Sequence, residues 1–345
     1  MFARKMSSVL FLAVSLCSLA VAHKTSVAKE EEHNRCPQRH FGQFSDWSEP
    51  INLGAAVNSG SDDFHPAISP NGLSLYVTSG RPGGLGGSDI WVSQRASLDD
   101  PWGPPQNLGQ NINSKGNDIA PDISPDGHWL FFSSNRPPAS AGTAQIWVSF
   151  RQDTNDDFGW EPAVNLGPDI NLAGVDANAP TFFQDHKTDV TSIYFNSIFR
   201  TDGPGDFDIY VSTQREDGTF GPAVLVPELS SPNRDTRLAI RRDGLEMFIT
   251  SGRAGTLGNN DLWVSTRATT LDAWSEPANL GSTINTAADD GGPALSCDGT
   301  TLYFYSTRPG GSGGRDLYVT TRQRIHGEGR DDDEHDDGVH PRDGW

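Results

Sequence analysis

The chain repeats itself, and no other feature narrows its possible folds as much. LYVTSGRPGGLGGSDIWVSQR begins at Leu75, LFFSSNRPPASAGTAQIWVSFR at Leu130 and IYFNSIFRTDGPGDFDIYVSTQR at Ile193. MFITSGRAGTLGNNDLWVSTR begins at Met247 and LYFYSTRPGGSGGRDLYVTTR at Leu302. The arginine after the first run recurs as Arg81, Arg136, Arg200, Arg253 and Arg308, at intervals of 53 to 64 residues. Each copy is preceded by a short partner: PAISPNG, PDISPDG, PTFFQDH, LAIRRDG or PALSCDG. Each also has a companion built on an aromatic residue and a proline, starting at Trp47, Trp102, Trp160, Phe220 and Trp274.

The local chemistry is that of strands. The runs are short and rich in β-branched and aromatic residues, and Gly, Pro, Asn and Asp bound them. SPNG and SPDG are turn sequences, because proline presets one dihedral and glycine accepts positive φ. No segment carries a capped apolar pattern of helical period. Each unit therefore reads as four strands, A to D, and five such units around an axis make an all-β, five-bladed propeller. The first recognisable strand is of D type, at Trp47, and the last is of C type, ending at Arg322. Pairing that first strand into the last blade would close the ring and remove an open edge. The same closure brings the N-terminal region towards Cys297, so a Cys36–Cys297 disulfide is within reach.

The motif PxISPDGxxLYFxSxRPGGxGGxDIYVS resembles the repeat of TolB-like propellers, exported relatives of WD-repeat proteins. The resemblance spans nearly all of residues 47–322 and implies fold more than function. Blades three and four depart from it, with TFFQDHKTD and LAIRRDG in place of the usual turn.

Residues 1–22 have a short cationic start, an apolar run and Ala20-Val21-Ala22, which read as a secretory signal. A lipoprotein signal is disfavoured by Leu16 before Cys17. Residues 23–46 form an N-terminal segment, 47–322 the propeller and 323–345 an acidic, disordered tail that includes His335 and His340. No later run is apolar enough to span a bilayer. The expected location is secreted or periplasmic, and the expected state a monomer. A formal charge of -19 disfavours nucleic acid as a partner.

An aspartate recurs just before strand A, as Asp63, Asp118, Asp176, Asp235 and Asp290. Innermost strands line a propeller's channel, so these carboxylates are expected to ring one mouth of it. There they could bind a cation such as calcium, or each could cap its own turn. His65 and Arg237 break the symmetry of this ring and, with Asp62 and Asp289, complete a candidate ligand-binding mouth. DTNDDFGWEP, from Asp153, lacks the Gly and Glu of a calcium loop and reads as a solvated connection. The glycine-rich stretch at residues 308–316 precedes a strand, not a helix, and so is a B–C connection and no phosphate loop. Its flanking charges suggest pairs Arg308–Asp316, Arg81–Asp89, Arg200–Asp208 and Arg253–Asp261; Gln145 leaves Arg136 without such a partner. The favoured function is non-catalytic binding of a protein, peptide or glycan. The alternative is a glycoside hydrolase or polysaccharide lyase using funnel carboxylates.

Overall fold

The computed structural model describes residues 42–325, apart from 138, 140–142 and 199. The signal segment, Cys36 and the acidic tail from residue 326 lie outside the described residues. Two short strands come first, β1 (Gln43–Phe44) and β2 (Ile51–Asn52). Blade 1 is β3 (Asp63–Ile68), β4 (Ser74–Ser79), β5 (Asp89–Gln94) and β6 (Gln106–Asn107). Blade 2 is β7 (Asp118–Ile123), β8 (Trp129–Ser134), β9 (Gln145–Phe150) and β10 (Val164–Asn165). Blade 3 is β11 (Asn178–Asp185), β12 (Val190–Ser197), β13 (Asp208–Thr213) and β14 (Val224–Leu225). Blade 4 is β15 (Asp235–Ile240), β16 (Glu246–Ser251), β17 (Asp261–Thr266) and β18 (Ala278–Asn279). Blade 5 is β19 (Asp290–Leu295), β20 (Thr301–Ser306) and β21 (Asp316–Thr321), completed by β2 as its outermost strand. The last strand, β22 (Arg324–Ile325), pairs with β1.

Every pairing is antiparallel, and the closure expected from the chain ends is present: Ile51 faces Val319 and Asn52 faces Tyr318. Among the described residues there are no helices, so none is long and apolar enough to cross a membrane. The apolar core lies between blades. Tyr76 and Ile90 of blade 1 pack with Leu130, Phe132 and Trp160 of blade 2. Similar clusters fill the other four junctions, including Val77 and Leu317 between blades 1 and 5. Strand alternation sends one face of each blade to each neighbour, so both faces are apolar and the middle strands are mostly buried, SLYVTS along its whole length.

Polar clasps reinforce these junctions. Asp157, within the stretch read as a solvated connection, is 3% exposed. It accepts hydrogen bonds from Ser74 and Tyr76 at 2.5 Å and from Gln94 at 2.8 Å, all on blade 1. It also pairs with the buried Arg151 of its own blade at 2.7 Å. Between blades 4 and 5, Glu246 and Arg322 play the corresponding part, paired at 2.5 Å.

Candidate functional site

The recurrent aspartates do not form an open ring of carboxylates. Asp63, Asp118, Asp235 and Asp290 are fully buried, and each is enclosed by donors. Asp235 accepts the Ser231 backbone N–H and hydroxyl at 2.6 and 2.7 Å, the Ser251 hydroxyl at 2.5 Å and Arg253 Nη2 at 2.7 Å. Asp63, Asp118 and Asp290 take the same turn donors from Ser59, Ser114 and Thr286. Their arginines are Arg81, Arg136 and Arg308. A carboxylate so satisfied caps its turn and has little to offer a ligand. Among the described residues no cluster of three or more His, Cys, Asp or Glu side chains is placed to hold a metal ion.

Four of the five recurrent arginines therefore pair 18 residues upstream, not with the aspartates after the glycine-rich loops. This corrects the expected Arg308–Asp316, Arg81–Asp89 and Arg253–Asp261 pairs and gives Arg136 its partner; the expected Arg200–Asp208 pair is also absent among the described residues, where Asp208 accepts the Gly205 N–H. Asp89, Asp261 and Asp316 instead gather backbone N–H groups of their own loops and an asparagine from the outermost strand. The loops in turn press against the next blade. A Cβ on Gly86 would overlap the Gly116 carbonyl of blade 2, and one on Gly313 the Ser61 carbonyl of blade 1. Glycine is required at both positions because backbone meets backbone there.

Blade 3 lacks the clamp. Asp176 is 7% exposed and takes only the Ala144 N–H, at 2.8 Å, leaving Oδ1 without a partner. Its carboxyl is raised above the usual range by burial, against the opposing pull of that hydrogen bond and of Arg234. Arg200 turns instead over the Tyr210 ring, 4.5 Å from its centroid.

Two residues after the recurrent aspartate, or three in blade 3, each innermost strand kinks. His65, Ala120, Ala179, Arg237 and Gly292 all have positive φ, and four of the five precede a proline. In four blades the kink N–H reaches a side chain on the preceding blade: Thr78, Ser133, Asn196 or Thr250. At the 5–1 junction Tyr305 occupies that place, and the His65 ring packs edge-on against it at 6.0 Å. Burial first, then Arg237, Arg315 and Arg234, hold the His65 imidazole well below its ordinary pKa, so it is neutral. The expected mouth residues thus divide. Asp62 is 43% exposed and pairs with Arg315 at 2.9 Å, and Asp289 lies 3.5 Å from the Asn260 amide.

Arg237 is 2% exposed and reaches from blade 4 to blades 1 and 2. Its Nη2 donates to the carbonyls of Pro66 at 3.0 Å and Pro121 at 2.6 Å. Nε and Nη1 have no partner. Burial lowers its pKa to about 10, against the raising effect of Asp122.

Beyond Arg237, at the opposite end of the innermost strands from the aspartates, all five blades line a cavity of about 110 Å³. Asp122, Thr181, Arg237, Arg242 and Gln184 supply its polar groups among apolar neighbours such as Ile123, Phe182 and Leu295. Asp122 is the one acid lining it among the described residues. Its Oδ2 accepts the Phe182 N–H at 2.7 Å. Burial pushes its carboxyl up to about 6, against the opposing pull of Arg237 and of that hydrogen bond. Asp122 was not among the sequence candidates, yet a signal existed: the matching positions of the other blades are Ala67, Thr181, Ala239 and Ala294. The lining Cys297 is disulfide-bonded, and its expected partner Cys36 lies outside the described residues.

No family model matches the chain, and no curated protein matches it. Solved structures do. A thermostable family-43 glycoside hydrolase shares 13% identity over 79% of this chain and 93% of its own, with a TM-score of 0.53. An α-L-arabinofuranosidase from Lactobacillus brevis shares 14% over 79% and 94%, with a TM-score of 0.54. One from Podospora anserina, in complex with cellotriose, shares 15% over 82% and 97%, with a TM-score of 0.51. At such identities the likeness is one of fold, and it makes the chain a five-bladed propeller of the architecture these glycoside hydrolases share.

Proposed function

We propose that the protein is a polysaccharide-active enzyme of glycoside-hydrolase type, with its site in the axial cavity and Asp122 as its proton donor. This replaces the non-catalytic binding scaffold favoured from sequence, because the solved structures named above are hydrolases of glycosidic bonds. The observation that carries the assignment is the Asp122 carboxyl, raised to about 6 in the cavity shared by all five blades. A carboxyl near neutral pKa can protonate the departing glycosidic oxygen, and such groups cluster at functional sites. Two-carboxylate hydrolysis also needs a base or nucleophile. Asp126, Asp243 and Asp298 each follow a cavity-lining residue by one position and are the first acids to substitute in search of it. The TolB-like blade motif and export through residues 1–22 remain part of the proposal.

The test is release of reducing sugar or aryl aglycone from a panel of neutral and acidic polysaccharides and aryl glycosides, α-L-arabinofuranosides among them. Asp122→Asn should lower turnover by about 10²–10⁴-fold, the usual contribution of a general acid. No release from any substrate, or full activity in Asp122→Asn, would overturn the assignment.

A further inference from the structure

We infer that the axial cavity binds a carboxylate, and that the glycan acted on is an acidic one whose uronic acid unit sets its carboxylate against Arg237. The inference rests on the polysaccharide-active reading for the class of ligand, and on Arg237 itself for the charge. A guanidinium carries five N–H donors. Here Nη2 is fixed by two backbone carbonyls from two other blades, while Nε and Nη1 remain buried without a partner. Leaving a cation out of water without a hydrogen-bonded anion is costly, and other arginines of this fold avoid it: Arg81, Arg136, Arg151, Arg253 and Arg308 each hold an aspartate. Arg237 lines the cavity together with Asp122, whose charge acts on it through space, yet no hydrogen-bonded ion pair joins the two among the described residues. A ligand anion supplies what the site lacks.

The remaining lining limits what that anion is. Asp122 acts on Arg237 through its charge and takes its hydrogen bond from Phe182 of blade 3, and Arg242 lines the same cavity. When ionised, Asp122 repels the ligand; when protonated, it does not, and its proton stays available for the glycosidic oxygen. A singly charged carboxylate matches one buried guanidinium. The apolar residues Ile123, Phe182 and Leu295 suit the face of a sugar ring above it. A cavity of about 110 Å³ takes the sugar unit that bears the charge and leaves the rest of the chain outside.

The test is calorimetric titration of the intact protein with glucuronate and galacturonate, with their methyl esters, with glucose and galactose, and with inorganic phosphate. The uronates should bind at pH 5.5 at least about tenfold more tightly than esters or neutral sugars, the ratio expected for hydrogen bonds to a charged group. Binding should weaken as pH rises from 5.5 to 7.5 in the wild type, and this dependence should vanish in Asp122→Asn. Arg237→Lys should lose at least tenfold in uronate affinity. Since Arg237 also ties three blades together, the wild-type selectivity stands as a test by itself should that variant not fold. Equal binding of uronates and neutral sugars, or no uronate binding, would show that water satisfies Arg237 and would overturn the inference. Phosphate binding equal to that of uronates would show a site for any anion and would overturn it too. Turnover confined to neutral glycans would sink the inference and leave the enzyme assignment standing. Uronate binding with no turnover on any substrate would do the reverse.

Discussion

Replacing Asp157 with alanine should cost about 3–5 kcal/mol, the usual penalty for removing one partner of a buried ion pair. The structure gives the reason. Asp157 and Arg151 are 3% and 1% exposed, so the guanidinium left behind has little access to water. The hydroxyls of Ser74 and Tyr76 and the Gln94 amide lose their acceptor as well, and all three belong to the neighbouring blade. For a domain of this size the loss corresponds to a melting temperature lower by about 6–10 °C. Arg151 lies over the Trp160 ring at 4.5 Å, and urea unfolding followed by the fluorescence of the nine tryptophans measures the loss of stability. Arg151→Met added to Asp157→Ala should recover part of the loss, because no unpaired charge then stays buried. A penalty under about 1 kcal/mol for Asp157→Ala, or strict additivity with Arg151→Met, would refute the view that this carboxylate clasps blades 1 and 2.

Further outcomes follow from other positions. Asp122→Asn should raise stability at pH 7.5 by about 1–3 kcal/mol. The folded carboxyl is raised to about 6, so the native state is progressively penalised as pH climbs from about 4 to 6, and the amide escapes this; a variant less stable than wild type at pH 7.5 would contradict the burial argument. Gly292→Ala should lower stability by at least about 1–2 kcal/mol, since its φ is +65° and the new methyl would lie 2.8 Å from Tyr305 and 3.1 Å from His65. Thermal melts alongside Ala120→Gly, which relieves a residue already held at φ 55°, should show the opposite sign. Gly313→Ala should open the junction of blades 5 and 1, seen as faster amide exchange near Ser61, because its Cβ would strike that carbonyl.

The fold was written in the repeat. Strand runs, turn residues and the unmatched D-type strand at Trp47 together specify five blades and their closure, and the tight SPNG and SPDG turns set the register of the strands they join. The clamps were harder to see. Arg81, Arg136, Arg253 and Arg308 each stand 18 residues after their aspartate, a constant spacing that marks the partner, although the aspartate after the glycine-rich loop lies nearer in sequence to three of them. Arg136 held the clue, because it persists where the nearer position is Gln145. The candidate site was legible only as an exception. Asp122 sits where Ala67, Ala239 and Ala294 are small, yet PDISPDG fits the blade motif so well that its acid passes as turn chemistry. Arg237 was recognisable as a departure from symmetry, but its reach to Pro66 and Pro121 depends on how five strands converge on an axis, which no local pattern encodes.

Blade 5 is assembled from both ends of the chain, and this sets how the protein responds to force. In the β2–β21 pair, Ile51 opposes Val319 and Asn52 opposes Tyr318, and just outside it Gln43 opposes Ile325. The incoming and outgoing segments therefore leave the ring side by side. With the disulfide of Cys297 reduced, tension applied through them does not shear the pair along its length. It peels the ladder one rung at a time, from β1–β22 inward, so the seam that closes the ring against heat is also where it parts under load.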